Sequence, residues 1–160
     1  MVDVQTLIGY MTPISLTIGV FYYIMSLRNQ NRARQTQLIM QINDAYRDPN
    51  QLEARNKFST YDWSTPEEFL EDLSSLEGRL TIGTLGTYYE GLGVLVREKL
   101  LDIRVVALLM TGNILQFWDK LKPLISEARE IEWGPRMFSE TEYLYNELMK
   151  YLEEHPEHNV

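Results

Sequence analysis

The sequence contains no cysteine and only two histidines, His155 and His158, which lie close to its C-terminal end. The absence of cysteine excludes disulfide bonds, thiolate nucleophiles and cysteine-ligated zinc or iron–sulfur sites. Phosphate-binding glycine-rich loops, the G-x-S-x-G nucleophile motif and the H-E-x-x-H zinc motif are also missing. We expect the two histidines to lie in a solvated tail without fixed geometry, so no metal site and no cofactor is predicted.

Charged side chains are absent from Val4 to Leu27, a run of 24 residues. A helix of that length reaches about 36 Å, which exceeds the roughly 30 Å of a hydrocarbon core. We therefore predict that residues 4–27 form a single transmembrane helix in contact with the lipid bilayer. A cleaved signal peptide is disfavoured because the start carries Asp3 and no basic residue. A core helix of an unusual soluble protein stays open as an alternative.

Three arginines, Arg28, Arg32 and Arg34, follow this uncharged run directly. We assign them to the membrane interface, and the positive-inside rule then places the N-terminus outside and the following domain in the cytoplasm. The predicted location is the cell membrane. Ser15 and Gly19 have the small-xxx-small spacing that lets helices pack closely, so they are candidates for self-association.

The rest of the chain is acidic. Of the 23 acidic and 15 basic residues, only Asp3 and the three arginines precede residue 44, which leaves residues 44–160 with a net charge of −10. Nucleic-acid binding requires clustered Lys and Arg, so we predict no nucleic-acid partner.

The periodicity of apolar residues predicts an all-α fold. The predicted order is a transmembrane anchor over 1–27, an amphipathic stalk helix over 28–47, a compact helical cytoplasmic domain over 48–154 and a frayed tail over 155–160.

Capping residues mark the expected helix ends within this domain. Asp48-Pro49 begins a short helix over 50–59 that turns Leu52 and Phe58 inward, and Thr65-Pro66 begins the next. Asp102 is expected to cap a short helix from Ile103 to Met110, which ends at Gly112-Asn113. A longer helix is expected over 114–131. Ser139 and Glu142 are expected to form a capping box at the start of the final helix.

Residues 78–99 give the least clear pattern because they contain five glycines. Leu85, Tyr89 and Leu92 nevertheless recur at helical spacing, which favours a buried helix that uses glycines for close packing. The β-branched residues leave a strand as an alternative.

Glu90 differs from the other carboxylates because it lies beside an apolar run on this helix. A buried carboxylate needs a cation or hydrogen-bond donors, so we expect Glu90 to be buried and paired, with Arg129 the favoured cation and Arg97 the second. A structural ion pair is favoured over a catalytic acid because no nucleophile or base accompanies it.

Several short motifs occur in an order that resembles one protein family. They are Tyr89-Glu90-Gly91-Leu92-Gly93-Val94-Leu95-Val96, Leu100-Leu101-Asp102, Trp118, Pro123-Leu124-Ile125, Arg129 and Glu142-Tyr143-Leu144. The chain resembles the membrane-anchored helical proteins of the domain of unknown function 4760 family from archaea and bacteria. The resemblance implies one membrane helix followed by an all-helical cytoplasmic domain, and it implies no reaction, cofactor or catalytic residue.

We therefore expect a membrane-tethered accessory domain, not an enzyme, which acts by binding another protein. Two alternatives stay open. One is a ligand sensor or enzyme with a pocket near Glu90 and Arg129, which would also include Tyr88, Tyr89 and Trp118. The other is a homo-oligomer with a structural role in the membrane.

Overall fold

The computed structural model describes the backbone of residues 4–130 and 134–158, and the side chains of the same residues except 4–18 and 20. All regular elements in these ranges are helices, which confirms the all-α expectation. They are α1 (Val4–Tyr46), α2 (Pro49–Thr60), α3 (Pro66–Ser74), α4 (Leu76–Arg97), α5 (Ile103–Ala128), α6 (Ser139–Glu154) and a final 3₁₀ turn (Pro156–His158).

The N-terminal part of the prediction requires a correction. In the part of the chain that the structure describes, no helix is long and apolar enough to cross a membrane. This finding contradicts the predicted transmembrane helix over residues 4–27, most of whose side chains lie outside the described residues. The prediction rested on absence of charge, which is a weaker criterion than apolarity because Thr, Ser, Gln and Pro dilute the run.

The chain divides into two units, Met1–Met40 and Gln41–Val160. The first unit contains most of α1. In the second unit, α4 contacts α2, α3 and α6, and α5 contacts α3 and α6. The core of this unit is made by aromatic and aliphatic side chains that are almost inaccessible to solvent, namely Trp118, Tyr89, Phe69, Phe117, Ile82, Leu85, Ile114, Leu121, Leu144 and Leu148.

The predicted starts of α2, α3 and α5 are confirmed, because each has the side-chain cap that the sequence indicates. Asp48 accepts a hydrogen bond from the Asn50 amide and Thr65 accepts one from the Glu68 amide. Asp102 accepts a hydrogen bond from the Arg104 amide. These bonds satisfy backbone donors that the first turn leaves unpaired.

The glycine-containing segment is helical throughout α4, so the strand alternative is wrong. Two glycines on α4 allow a close approach of other parts of the chain. A Cβ atom at Gly86 would overlap the Phe138 ring, and one at Gly93 would overlap the Glu140 carbonyl oxygen. Gly93 thereby lets the first turn of α6 lie against the backbone of α4.

The predicted break at Gly112-Asn113 is wrong, because α5 continues from Ile103 to Ala128. Glycine costs about 1 kcal/mol in a helix interior. The burial of Met110, Thr111 and Ile114 on both sides of this point offsets that cost.

The predicted capping box at Ser139 and Glu142 is also wrong. Ser139 is the first helical residue of α6, and the preceding cap position is Phe138, which has a left-handed backbone (φ 53°) and no side-chain hydrogen bond to the helix. The Thr141 amide in the first turn of α6 therefore has its hydrogen-bond acceptor elsewhere in the fold.

Candidate functional site

Glu90 supplies the missing cap of α6. Its Oε1 atom accepts hydrogen bonds from the Thr141 amide (2.6 Å) and from the Thr141 hydroxyl (2.9 Å). A carboxylate at this place is favourable because the N-terminus of a helix has a partial positive charge. Glu90 is half-buried and Thr141 is fully buried, so the contact joins α4 to α6 near the core.

The predicted pairing of Glu90 with Arg129 is not formed. Arg129 Nη2 lies 2.8 Å from Glu142 Oε2, although its N–H groups are not aligned for a hydrogen bond there. Arg129 Nε donates to the Met137 carbonyl oxygen at 2.9 Å. The sequence prediction allowed for a cation or hydrogen-bond donors and favoured the cations, whereas the structure satisfies this carboxylate with donors from Thr141 at a helix N-terminus.

Arg97, the second predicted cation, pairs with Glu140 instead. Its Nε donates to Glu140 Oε2 at 2.6 Å, and this hydrogen bond raises the pKa of Arg97. The guanidinium carbon lies 3.9 Å from the centre of the Tyr143 ring, a cation–π contact. Arg97 thus joins the C-terminal end of α4 to α6.

An open cavity of about 470 Å³ lies beside these groups and is lined by Glu90, Arg97, Arg136, Ser139 and Glu140. It does not include Arg129. Tyr89 and Trp118 are each only 1% exposed, so they contribute to the core and not to this cavity. The residues suggested for a sensor pocket are therefore not brought together, and the Glu90 carboxylate already has two donors.

The predicted interface arginines lie on α1. Arg28, Arg32 and Arg34 are all exposed. Gly19 is exposed too, and a Cβ atom at this position would meet no other atom within 4 Å, while the side chain of Ser15 is outside the described residues. Large apolar side chains on the same helix are also exposed to solvent, namely Phe21, Tyr22, Tyr23, Ile24, Met25 and Leu27.

A larger concave surface lies between α2 and α4, which we call the α2/α4 groove. It has a volume of about 870 Å³. Leu76 and Leu80 of α4 lie in it and are 68% and 61% exposed. The remaining lining residues are Ala45, Asp48, Asn50, Gln51, Glu53, Ala54, Lys57, Glu77, Thr81 and Thr84.

Polar groups in the α2/α4 groove are only partly satisfied. Gln51 Nε2 donates to the Thr84 carbonyl oxygen at 3.1 Å, but the buried Oε1 of Gln51 has no hydrogen-bond partner. Lys57 forms an ion pair with Glu77, whereas Asp48 and Glu53 carry negative charge at the groove without an ion-pair partner among the described residues. The groove therefore combines exposed leucines with an acidic surround.

Sequence reasoning missed this groove because it assigned one buried face to each helix. Leu76 is among the most exposed leucines that the structure describes. Leu52, which was expected to point inward, is 52% exposed. The available signal was the second apolar row on α4, since Leu76 and Leu80 are four residues apart and lie off the row of Ile82, Leu85 and Tyr89.

The described residues contain no group of three His, Asp or Glu side chains that could hold a metal ion. The features above describe a helical domain with a groove, in which the most distinctive carboxylate has a structural role. The family model described as Domain of unknown function (DUF4760) matches residues 13–148, so the chain belongs to this family. No curated protein and no solved structure gives a significant match.

Proposed function

We propose that the domain acts by binding another protein, and that the α2/α4 groove is the binding surface. The observation that carries the proposal is the exposure of Leu76 and Leu80 inside a concave surface. Isolated exposed leucines are ordinary, but leucines within a groove lose water when an apolar partner side chain enters.

The proposed occupant is an amphipathic helix with leucine-type residues on one face and basic residues beside them. Helices commonly bind in grooves through apolar residues spaced three and four apart. Leu76 and Leu80 lie one helical turn apart along α4 and can contact such a row.

Charge complementarity favours a basic partner. Asp48, Glu53 and Glu77 line the groove against one cation, Lys57, which Glu77 already neutralises. Lysine or arginine residues beside the apolar row of the partner would complement the remaining carboxylates. A donor from the same partner would satisfy Gln51 Oε1, which has none in the free domain.

The experiment titrates the full chain with two synthetic 14-residue helices that share a leucine face and differ in having Lys or Glu on the polar face. Fluorescence anisotropy reports the dissociation constant of each peptide. We expect the Lys peptide to bind and the Glu peptide to bind at least tenfold more weakly. Leu80→Asp should weaken binding of the Lys peptide tenfold or more, because burial of a leucine contributes roughly 1.5–3 kcal/mol.

Leu108→Asp is the matched control, since Leu108 is 57% exposed on α5 and does not line the groove. It should leave the affinity within twofold of the unmodified chain. Equal binding of both peptides, or equal losses for the two variants, would refute the proposal, as would the absence of binding by the Lys peptide.

A second candidate function is self-association through α1. It is supported by the exposure of six large apolar side chains between residues 21 and 27. Sedimentation velocity would report the mass of the full chain, and a purely monomeric species at high micromolar concentration would refute this candidate. If the chain does associate, replacement of Tyr22 and Tyr23 by Asn should shift it towards the monomer.

A further inference from the structure

A second cavity, of about 500 Å³, lies against a different face of α2 from the α2/α4 groove. It is bounded by the end of α1, by α2 and by the middle of α5. No carboxylate lines it, and almost every lining side chain carries a hydrogen-bond donor. The lining residues are Tyr46, Arg47, Leu52, Arg55, Asn56, Ser59, Asn113 and Gln116.

The charge of this cavity is opposite to that of the domain. Residues 44–160 have a net charge of −10, yet the cavity contains two arginines and no acid. Neither Arg47 nor Arg55 forms an ion pair with a carboxylate among the described residues. An unneutralised pair of guanidinium groups in an otherwise acidic domain attracts anions.

Contacts with Tyr46 restrict the side chain of Arg55. Its guanidinium carbon lies 4.0 Å from the centre of the Tyr46 ring, and its Nη2 donates to the Tyr46 carbonyl oxygen at 2.8 Å. The Tyr46 hydroxyl accepts a hydrogen bond from Asn113 Nδ2 at 2.6 Å, which fixes the ring in turn. Little ordering of the Arg55 side chain is therefore needed when a ligand arrives.

One nitrogen of Arg55 still lacks an acceptor. Its Nη1 atom is buried and has no hydrogen-bond partner. A buried donor of a charged group without a partner is unfavourable, so an acceptor oxygen supplied from the cavity after a small movement of the guanidinium would be stabilising. The unsatisfied Nη1 is independent of the charge of the cavity, and both observations indicate a ligand with negatively charged acceptor oxygens.

We propose that this cavity binds a small molecule that bears a phosphate group. The planar fork of arginine matches phosphate oxygens, and a phosphate dianion balances two guanidinium groups. The amides of Asn56 and Gln116 also line the cavity and provide hydrogen bonds for the polar remainder of the molecule. A volume of about 500 Å³ is in the range of small-ligand sites.

The inference does not depend on the proposed protein-binding function, because the two surfaces share no lining residue. Either proposal can be refuted without affecting the other.

The test uses glycerol 3-phosphate as the probe, with glycerol and malonate as the neutral and dicarboxylate comparisons. Isothermal titration calorimetry on the full chain gives the affinities, and NMR follows the side-chain amide signals of Asn56, Asn113 and Gln116. We expect glycerol 3-phosphate to bind and to shift these signals, malonate to bind at least tenfold more weakly and glycerol not to bind. Binding should weaken as ionic strength rises.

Two variants locate the site. Arg55→Lys keeps the positive charge but removes the planar guanidinium group that can bind two phosphate oxygens, and it should weaken binding at least tenfold. Arg47→Gln removes an exposed charge at the cavity and should weaken binding about fivefold. Arg104→Gln, which removes an exposed arginine of α5 outside the cavity, is the control and should change the affinity less than twofold.

Circular dichroism establishes that each variant is folded before its affinity is compared, and Arg47→Gln serves as the decisive variant if Arg55→Lys unfolds. The proposal is overturned if glycerol 3-phosphate does not bind, if malonate binds equally well, or if Arg47→Gln and Arg104→Gln have the same effect.

Discussion

Replacement of Gly93 by alanine tests the close contact between α4 and the first turn of α6. The added Cβ atom would overlap the Glu140 carbonyl oxygen and would lie 2.6 Å from the Glu140 carbonyl carbon. Both are backbone atoms, which cannot turn away as a flexible side chain can. The first turn of α6 would have to shift, and with it Thr141, whose two hydrogen bonds to Glu90 depend on its position.

The same helix provides a matched control, because a Cβ atom at Gly91 would meet no atom within 4 Å. In the absence of a clash, Gly→Ala within a helix is stabilising by up to about 1 kcal/mol. This gain applies to both positions, so it cancels when the two variants are compared. Overpacking costs typically about 1–3 kcal/mol, and we expect the Gly93→Ala variant to be less stable than Gly91→Ala by an amount in this range.

Urea unfolding of the full chain, followed by circular dichroism at 222 nm, measures the difference. With a slope of about 2 kcal/mol per molar urea, a difference of about 2 kcal/mol corresponds to a shift of about 1 M in the midpoint. Gly91→Ala should unfold at the same or higher urea concentration than the unmodified chain, and Gly93→Ala at a clearly lower one. Equal midpoints for the two variants would refute the close contact and the argument based on it.

Further predictions concern protonation and the cap of α6. Burial raises the pKa of Tyr88 and Tyr89 above the usual value near 10, and the charge of Arg55 only partly opposes this. The folded protein therefore keeps protons that the unfolded chain loses, so stability should be insensitive to these groups below pH 10 and should fall above it. Absorbance at 295 nm should show late-titrating tyrosines, and a single transition of all ten near pH 10 would contradict the burial. Glu90→Ala should reduce the free energy of unfolding by about 1–2 kcal/mol, whereas Glu90→Gln should cost less because its amide oxygen still accepts from Thr141. Equal urea midpoints for the Ala and Gln variants would contradict this reasoning, because they would show that an uncharged acceptor contributes nothing to the cap.

The sequence was sufficient to predict features that depend on neighbouring residues. Asp48, Thr65 and Asp102 cap helices at the expected places because the side chain and the amides that it binds lie within three residues of each other. The helical state of α4 was also predictable, since its apolar spacing is regular despite the glycines.

The failures have other physical causes. Gly112 was expected to end a helix, but the energy that keeps α5 continuous comes from packing against other helices, which a local signal does not contain. The partner of Glu90 was mistaken because a backbone amide exists at every position and becomes a specific donor only when a helix begins there. At the N-terminal end, a run without charge was taken for a run apolar enough to span a membrane.

The link between Glu90 and Thr141 has a consequence for the order in which the domain folds. The two residues are 51 positions apart, and α6 has no cap of its own. Most of the stability of a helix in a protein comes from tertiary packing, so the 16-residue α6 depends on α4 being in place. Leu144 and Leu148 also complete the core from this helix. During synthesis, the residues from Gln41 onward should therefore remain incompletely packed until α6 has left the ribosome, and the loop closed in that late step makes it slow relative to the formation of the individual helices.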